Sequence, residues 1–143
     1  MIRKVLRFVV GALAFVGLLN IGLWAHARFS GETPEYVTDL PSPDGQYKAV
    51  LATWGGGGAI SPYCYERLTV VSVKASQEEM IASDNMVFES ECTTGGSPSI
   101  TWQGNDTLQV GFALSESYAA PSTIKFRRKD ASGRIAIKFE ILR

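Results

Sequence analysis

Apolar and polar positions follow two different periods in this chain. Residues Phe8 to Trp24 are apolar almost without a break and follow Arg3, Lys4 and Arg7. Beyond residue 46, apolar residues instead recur at every second position, the period of a strand with one buried face. Leu108, Val110 and Phe112 alternate with Gln109, Gly111 and Ala113. Ile135, Ile137, Phe139 and Ile141 alternate with Arg134, Ala136, Lys138 and Glu140. Ile124 and Phe126 alternate with Lys125 and Arg127, and Asp130–Gly133 predicts a turn joining this pair of strands into a C-terminal hairpin. Tyr47–Thr53 and the β-branched run Arg67–Val73 predict two more strands, and Met80–Ala82 and Met86–Glu89 two shorter ones. Ser99–Trp102 and Thr107–Ala113 flank Gly104-Asn105-Asp106, a hairpin signal. Trp54–Tyr63, with its glycine run, reads as a loop. No amphipathic helix is expected in this part of the chain. The pattern predicts an all-β domain, an antiparallel meander or small sandwich of about seven strands, preceded by one N-terminal transmembrane or signal helix.

The N-terminal run supplies an address. Basic residues before an apolar stretch stay on the cytoplasmic side of a bacterial inner membrane, so the chain beyond the stretch is expected in the periplasm. Residues 8–27 as a helix span about 30 Å, enough to cross the hydrocarbon core, and Trp24 suits its outer interface. Residues 1–28 are read as a signal anchor retained in the inner membrane. The alternative is a signal peptide cut after Ala27, since Ala25-His26-Ala27 is a small-x-small triplet. Residues 29–45 carry Pro34, Pro41 and Pro43 and read as an extended linker, opening into the Ser42-Pro-Asp-Gly45 turn. Residues 46–143 are left as one extracytoplasmic β domain.

Charge is balanced overall, with 14 basic and 14 acidic residues, but unevenly placed. Between Ala75 and Ile124 every charged residue is acidic; after Ile124 lysine and arginine dominate. The alternation assigns the basic residues to the wet face of strands rather than to a nucleic-acid site. The periplasmic address points the same way, and no nucleic-acid partner is expected.

Cys64 and Cys92 are the only cysteines. In an oxidising compartment they are expected to pair, contributing about 3–4 kcal/mol by closing their loop. Without a C-x-x-C spacing or a nearby histidine they make a poor redox or metal site. The bond is expected to tie the glycine-rich loop at Gly55–Gly58 to the loop around Gly95-Gly96, gathering Trp54, Tyr63 and Tyr65. Rings on stiffened loops present contact area at low ordering cost. Glu89 and Glu91 share one face of a strand and give this edge negative charge. These five residues are the expected partner-binding surface; capping of the sheet core is the other reading of the rings.

Much chemistry is missing from the sequence. His26, the only histidine, lies in the targeting segment, so residues 29–143 offer no Ser-His or Cys-His pair and no imidazole for zinc. Ser122-Thr-Ile-Lys125 matches S-x-x-K but leads into a strand rather than starting a helix. The glycine run lacks the Gly-Lys-Ser/Thr ending of a phosphate loop. Glu78/Glu79 and Glu89/Glu91 offer paired carboxylates for an acid–base reading, and a solvated face accounts for them. No catalytic residue, metal or cofactor is expected.

The segments Ser42-Pro-Asp-Gly-Gln-Tyr-Lys-Ala-Val50, Ile100-Thr-Trp102 and Asp106-Thr-Leu-Gln-Val110 resemble small bacterial envelope proteins with an N-terminal membrane segment. The turn-plus-strand pattern also resembles one blade of a propeller, but the chain is too short for a whole one. Some envelope proteins of this size are immunity proteins that block toxins in the periplasm. Address, size and missing chemistry give the leading expectation, a non-enzymatic, membrane-tethered protein-binding domain with a toxin as a candidate partner. An envelope-assembly subunit and a small enzyme using carboxylates alone are the alternatives.

Overall fold

A computed structural model describes residues 11, 13–23, 33–57, 59, 62–92, 96–114 and 123–142. The chain forms two units, 1–33 and 34–143. In the first, residues 11 and 13–23 are helical, and the Asn20 side-chain amide donates to the Val16 carbonyl 2.8 Å away, one turn back. Among the described residues no helix is long and apolar enough to cross a membrane. Both ends of the expected anchor, and the triplet Ala25-His26-Ala27, lie outside the described residues.

The second unit is mostly strand. β1 (Tyr36–Pro41), β2 (Tyr47–Gly56), β3 (Tyr63–Ser72), β4 (Met86–Glu91) and β7 (Lys125–Phe126) form a five-stranded sheet in the order β1-β2-β3-β4-β7. β5 (Ser99–Trp102), β6 (Thr107–Ala113) and β8 (Ala136–Leu142) form a second sheet in the order β5-β6-β8. One core lies between them: Ala49, Leu68, Val70 and Phe88 from the first meet Leu108, Val110 and Ile137 from the second, with Ile135 just before β8. Removing this apolar surface from water is the main force holding the sheets together. The Trp102 indole N–H also reaches across to the Leu40 carbonyl, at 3.0 Å.

Several expectations hold. β5 and β6 pair antiparallel around Gly104, whose φ of +81° suits glycine. Ser42-Pro-Asp-Gly45 is a closed turn, with the Ser42 hydroxyl bonded to Asp44 and accepting from the Tyr47 N–H. Its bond to Ser42, with the Gln46 N–H, holds the Asp44 carboxyl below its usual pKa.

The structure corrects others. The stretch read as linker is in part sheet: β1 pairs antiparallel with β2 from Tyr36↔Thr53 to Pro41↔Lys48, so the turn at Ser42 joins two strands. Proline closes this edge strand, where a missing N–H is tolerated. β2 and β3 extend through most of the predicted loop, to Gly56 and from Tyr63. Met80–Ala82 is not a strand. Gln77–Ile81 forms a short helix, α1, whose N-cap Ser76 and Glu79 make a reciprocal capping box. These bonds from Ser76 also lower the Glu79 pKa.

The C-terminal hairpin is the largest correction. Its turn forms, with the Asp130 N–H bonded to the Ile135 carbonyl and Lys129 bridged to Ala136. Beyond that the arms part. β7 joins β4 in the first sheet, and β8 lies parallel to β6 along its whole length, so the domain is not purely antiparallel. Leaving one sheet for a short strand in the other lets the chain return parallel without a helical crossover. The basic residues Arg127, Arg128, Lys129, Arg134 and Lys138 are exposed, but not as one face of a hairpin.

Candidate functional site

Alternation along β2, β3 and β4 sorts their side chains onto two faces. Leu68 and Phe88 face the core. Trp54, Tyr63, Tyr65, Arg67, Glu89 and Glu91 lie on the opposite face, because β3 pairs Tyr65 with Trp54 on one side and with Glu91 on the other, and Arg67 with Glu89. Each of the five residues read from sequence is therefore on one surface. The reason is register, not the meeting of two loops.

The rings form a stack. Trp54 and Tyr65 lie 4.9 Å apart with planes within 8° of parallel, and Tyr63 follows 6.4 Å from Tyr65. The Arg67 guanidinium sits 5.1 Å from the Trp54 ring centre and 5.9 Å from that of Tyr65. Such a cation over a ring face is attracted by the ring's negative quadrupole. Trp54 is only 4% exposed, so it supports the surface rather than presenting it; Tyr63, at 42%, is the outward ring.

Arg67 is held from three directions. Its Nε and Nη2 each lie 2.7 Å from Glu89 Oε2, and its Nη1 donates to the Ile81 carbonyl at the end of α1. Lys125 on β7 completes the row, 2.7 Å from Glu89 Oε1. Partial burial pushes the Glu89 carboxyl up most strongly, but hydrogen bonds and charge from Lys125 and Arg67 outweigh it and leave its pKa below the usual range. Glu89 therefore does not provide a bare acidic edge. It is an ionised hub between two cations, a poor proton donor or base at neutral pH. Glu91, one step on, is exposed.

Cys64 and Cys92 are bonded, with Cα atoms 5.3 Å apart, and the Cys92 N–H donates to the Cys64 carbonyl. The crosslink staples the ends of adjacent strands, not two loops. Cys64 shares its face with Glu66 and Leu68, so the bond fixes the strands from behind the rings. Nearby, Glu66 is buried and accepts a hydrogen bond from Ser97.

Two hollows flank Tyr65. One, of about 450 Å³, lies between Tyr63 and Glu91; the other, of about 300 Å³, lies between Glu91 and Lys125. Both mix ring edge with charge. Sequence reasoning missed Arg67 and Lys125, which close the row; their only trace was a basic residue inside each strand. Among the described residues no group of histidine, cysteine and carboxylate side chains is placed to hold a metal ion. No protein-family model, curated protein or solved structure matches this chain.

Proposed function

We propose that residues 34–143 bind another protein, without catalysing a reaction, through the face that carries Tyr63, Tyr65 and Glu91. One observation supports this above all: the Trp54–Tyr65 stack is held by Arg67 and Glu89 in front and by the disulfide behind. A surface already ordered before binding loses little side-chain entropy on contact, and tyrosine, tryptophan and arginine are the side chains enriched at interface centres. In this reading Trp54 and Arg67 set the shape, and Tyr63 with Glu91 makes contact. Residues 8–27 anchor the protein in the inner membrane with the β domain in the periplasm, as the basic residues before the apolar run support. Within the protein-binding class we favour an immunity-type inhibitor of a periplasm-acting toxin, on size, address and the lack of histidine after His26.

A photo-crosslinking residue placed at position 63 of the full chain in living cells tests this. A discrete crosslinked protein is expected at position 63, and none at position 109 on the other sheet. Equal labelling at both positions, or none at 63, refutes the proposed surface.

A further inference from the structure

We propose a second binding site, at the edge of β8 that no strand among the described residues covers, which takes an extended, acidic and apolar segment of another protein as an added strand. It is independent of the ring stack.

The backbone of β8 has two sides. The Ala136 N–H donates to Asp106 next to β6, and the Ile137 N–H donates the other way, to the Arg128 carbonyl. Strand alternation then turns the N–H and C=O groups of Lys138 and Glu140 toward β6, and those of Phe139 and Ile141 away from it. The chain that could have paired with Phe139 has left for the first sheet, where Phe126 pairs with Phe88. Among the described residues no strand covers β8 beyond Ile137.

The same parting opens a slot between the sheets. Phe112, Phe126, Ile137, Phe139 and Ile141 line it, with Arg128 and Lys138, around about 700 Å³. These apolar side chains belong to the core face of their strands, yet Phe126 is 55% and Ile141 56% exposed. The floor is ordered: Phe126 packs 5.2 Å from Phe139, which stacks 6.2 Å from the buried Phe88. Unpaired backbone beside an apolar slot is the arrangement used in strand addition, where main-chain bonds supply affinity and alternate side chains fill pockets. Arg128 and Lys138 line this slot, while Glu140, also on β8, lies on the outer face and accepts a hydrogen bond from Gln109. The balance beside the slot is positive and favours acidic residues on the incoming strand.

A second copy fits less well. Antiparallel pairing of two β8 strands about Phe139 would match Lys138 with Glu140, but it needs the place beside Ile137 that Arg128 occupies. Pairing about Glu140 sets that carboxylate opposite itself, which is unfavourable.

The test uses the full chain in mild detergent and a fluorescein-labelled peptide alternating glutamate with valine. Saturable binding is expected, with a lysine–valine peptide more than about tenfold weaker, since like charges then meet. Methylating alternate amides of the acidic peptide gives two forms. One is expected to keep its affinity and the other to lose more than about tenfold, because only one set of N–H groups faces β8. These comparisons need no protein variant; Ile141→Glu, at an exposed position, should also abolish binding of the acidic peptide, since it puts a like charge in the apolar slot. No saturable binding, equal binding of both methylated forms, or self-association through β8 that the peptide does not reverse overturns the proposal.

Discussion

Among the described residues the domain has two clusters of aromatic side chains, finished in opposite ways. On the outer face of the five-stranded sheet, the Trp54–Tyr65 stack is closed by Arg67, Glu89 and Lys125 and stapled by Cys64–Cys92. Between the sheets, the Phe88–Phe112–Phe139–Phe126 cluster runs from a buried centre to an edge left open where β7 and β8 separate. The first is closed because β3 stays paired with β2 as far as Tyr63 and with β4 from Leu68 to Tyr65, beyond a register shift at Leu68/Thr69. The second is exposed because one chain segment changes sheets. Ring content alone does not distinguish a support from a docking slot; strand register does.

Perturbations should separate the two clusters, and the largest effect belongs to the buried end of the open one. Phe88 is 1% exposed and touches both sheets, so Phe88→Ala is expected to cost about 3–5 kcal/mol by denaturant melting. A cost near zero would mean the sheets do not share this core. Removing the crosslink with Cys64→Ser and Cys92→Ser together should cost about 3–4 kcal/mol, while the β8 edge keeps its peptide affinity. Freely alkylated thiols in native protein purified without reductant would contradict the bond itself.

Glu89→Gln is expected to cost about 1–2 kcal/mol at neutral pH, since it weakens charge-assisted bonds to Arg67 and Lys125. The folded Glu89 pKa is lowered from its ordinary 4.5, so its stabilisation is present above that value. It is lost as pH falls through the lower, folded value. The gap between wild type and variant should therefore shrink in acid; a gap that persists there would assign the cost to packing. The smallest stability effect is expected at the open edge. Ile141→Ala should change stability by less than about 1 kcal/mol, because the side chain is already more than half exposed.

How far the sequence reveals this molecule depends on which interactions decide each element. The β5–β6 hairpin is legible because Gly104-Asn105-Asp106 is local turn chemistry. β1 is hidden by prolines that read as linker, though an edge strand tolerates them. α1 carries a readable signal, Ser76 three residues before Glu79, which the short apolar run at Met80 masks. The alternation of β8 is clear, but alternation states which side is buried and not which strand lies alongside. Hence the sequence predicts a hairpin where a parallel pair with β6 forms. The ring surface obeys the same logic. Residue type singles out Trp54, Tyr63, Tyr65, Glu89 and Glu91, but that they share one face, together with Arg67 and Lys125, depends on cross-strand register that no local pattern encodes.

The contrast between a closed and an open cluster is tested most directly by native-state hydrogen exchange of single amides in the full chain. Lys138 and Glu140, whose N–H groups face β6, should be protected together with Tyr65 and Arg67 in the closed ladder. Phe139 and Ile141 should exchange at least about a hundredfold faster than Lys138 and Glu140, since nothing among the described residues pairs with them. Equal protection along β8 would mean that its outer edge is already covered, contradicting the open slot.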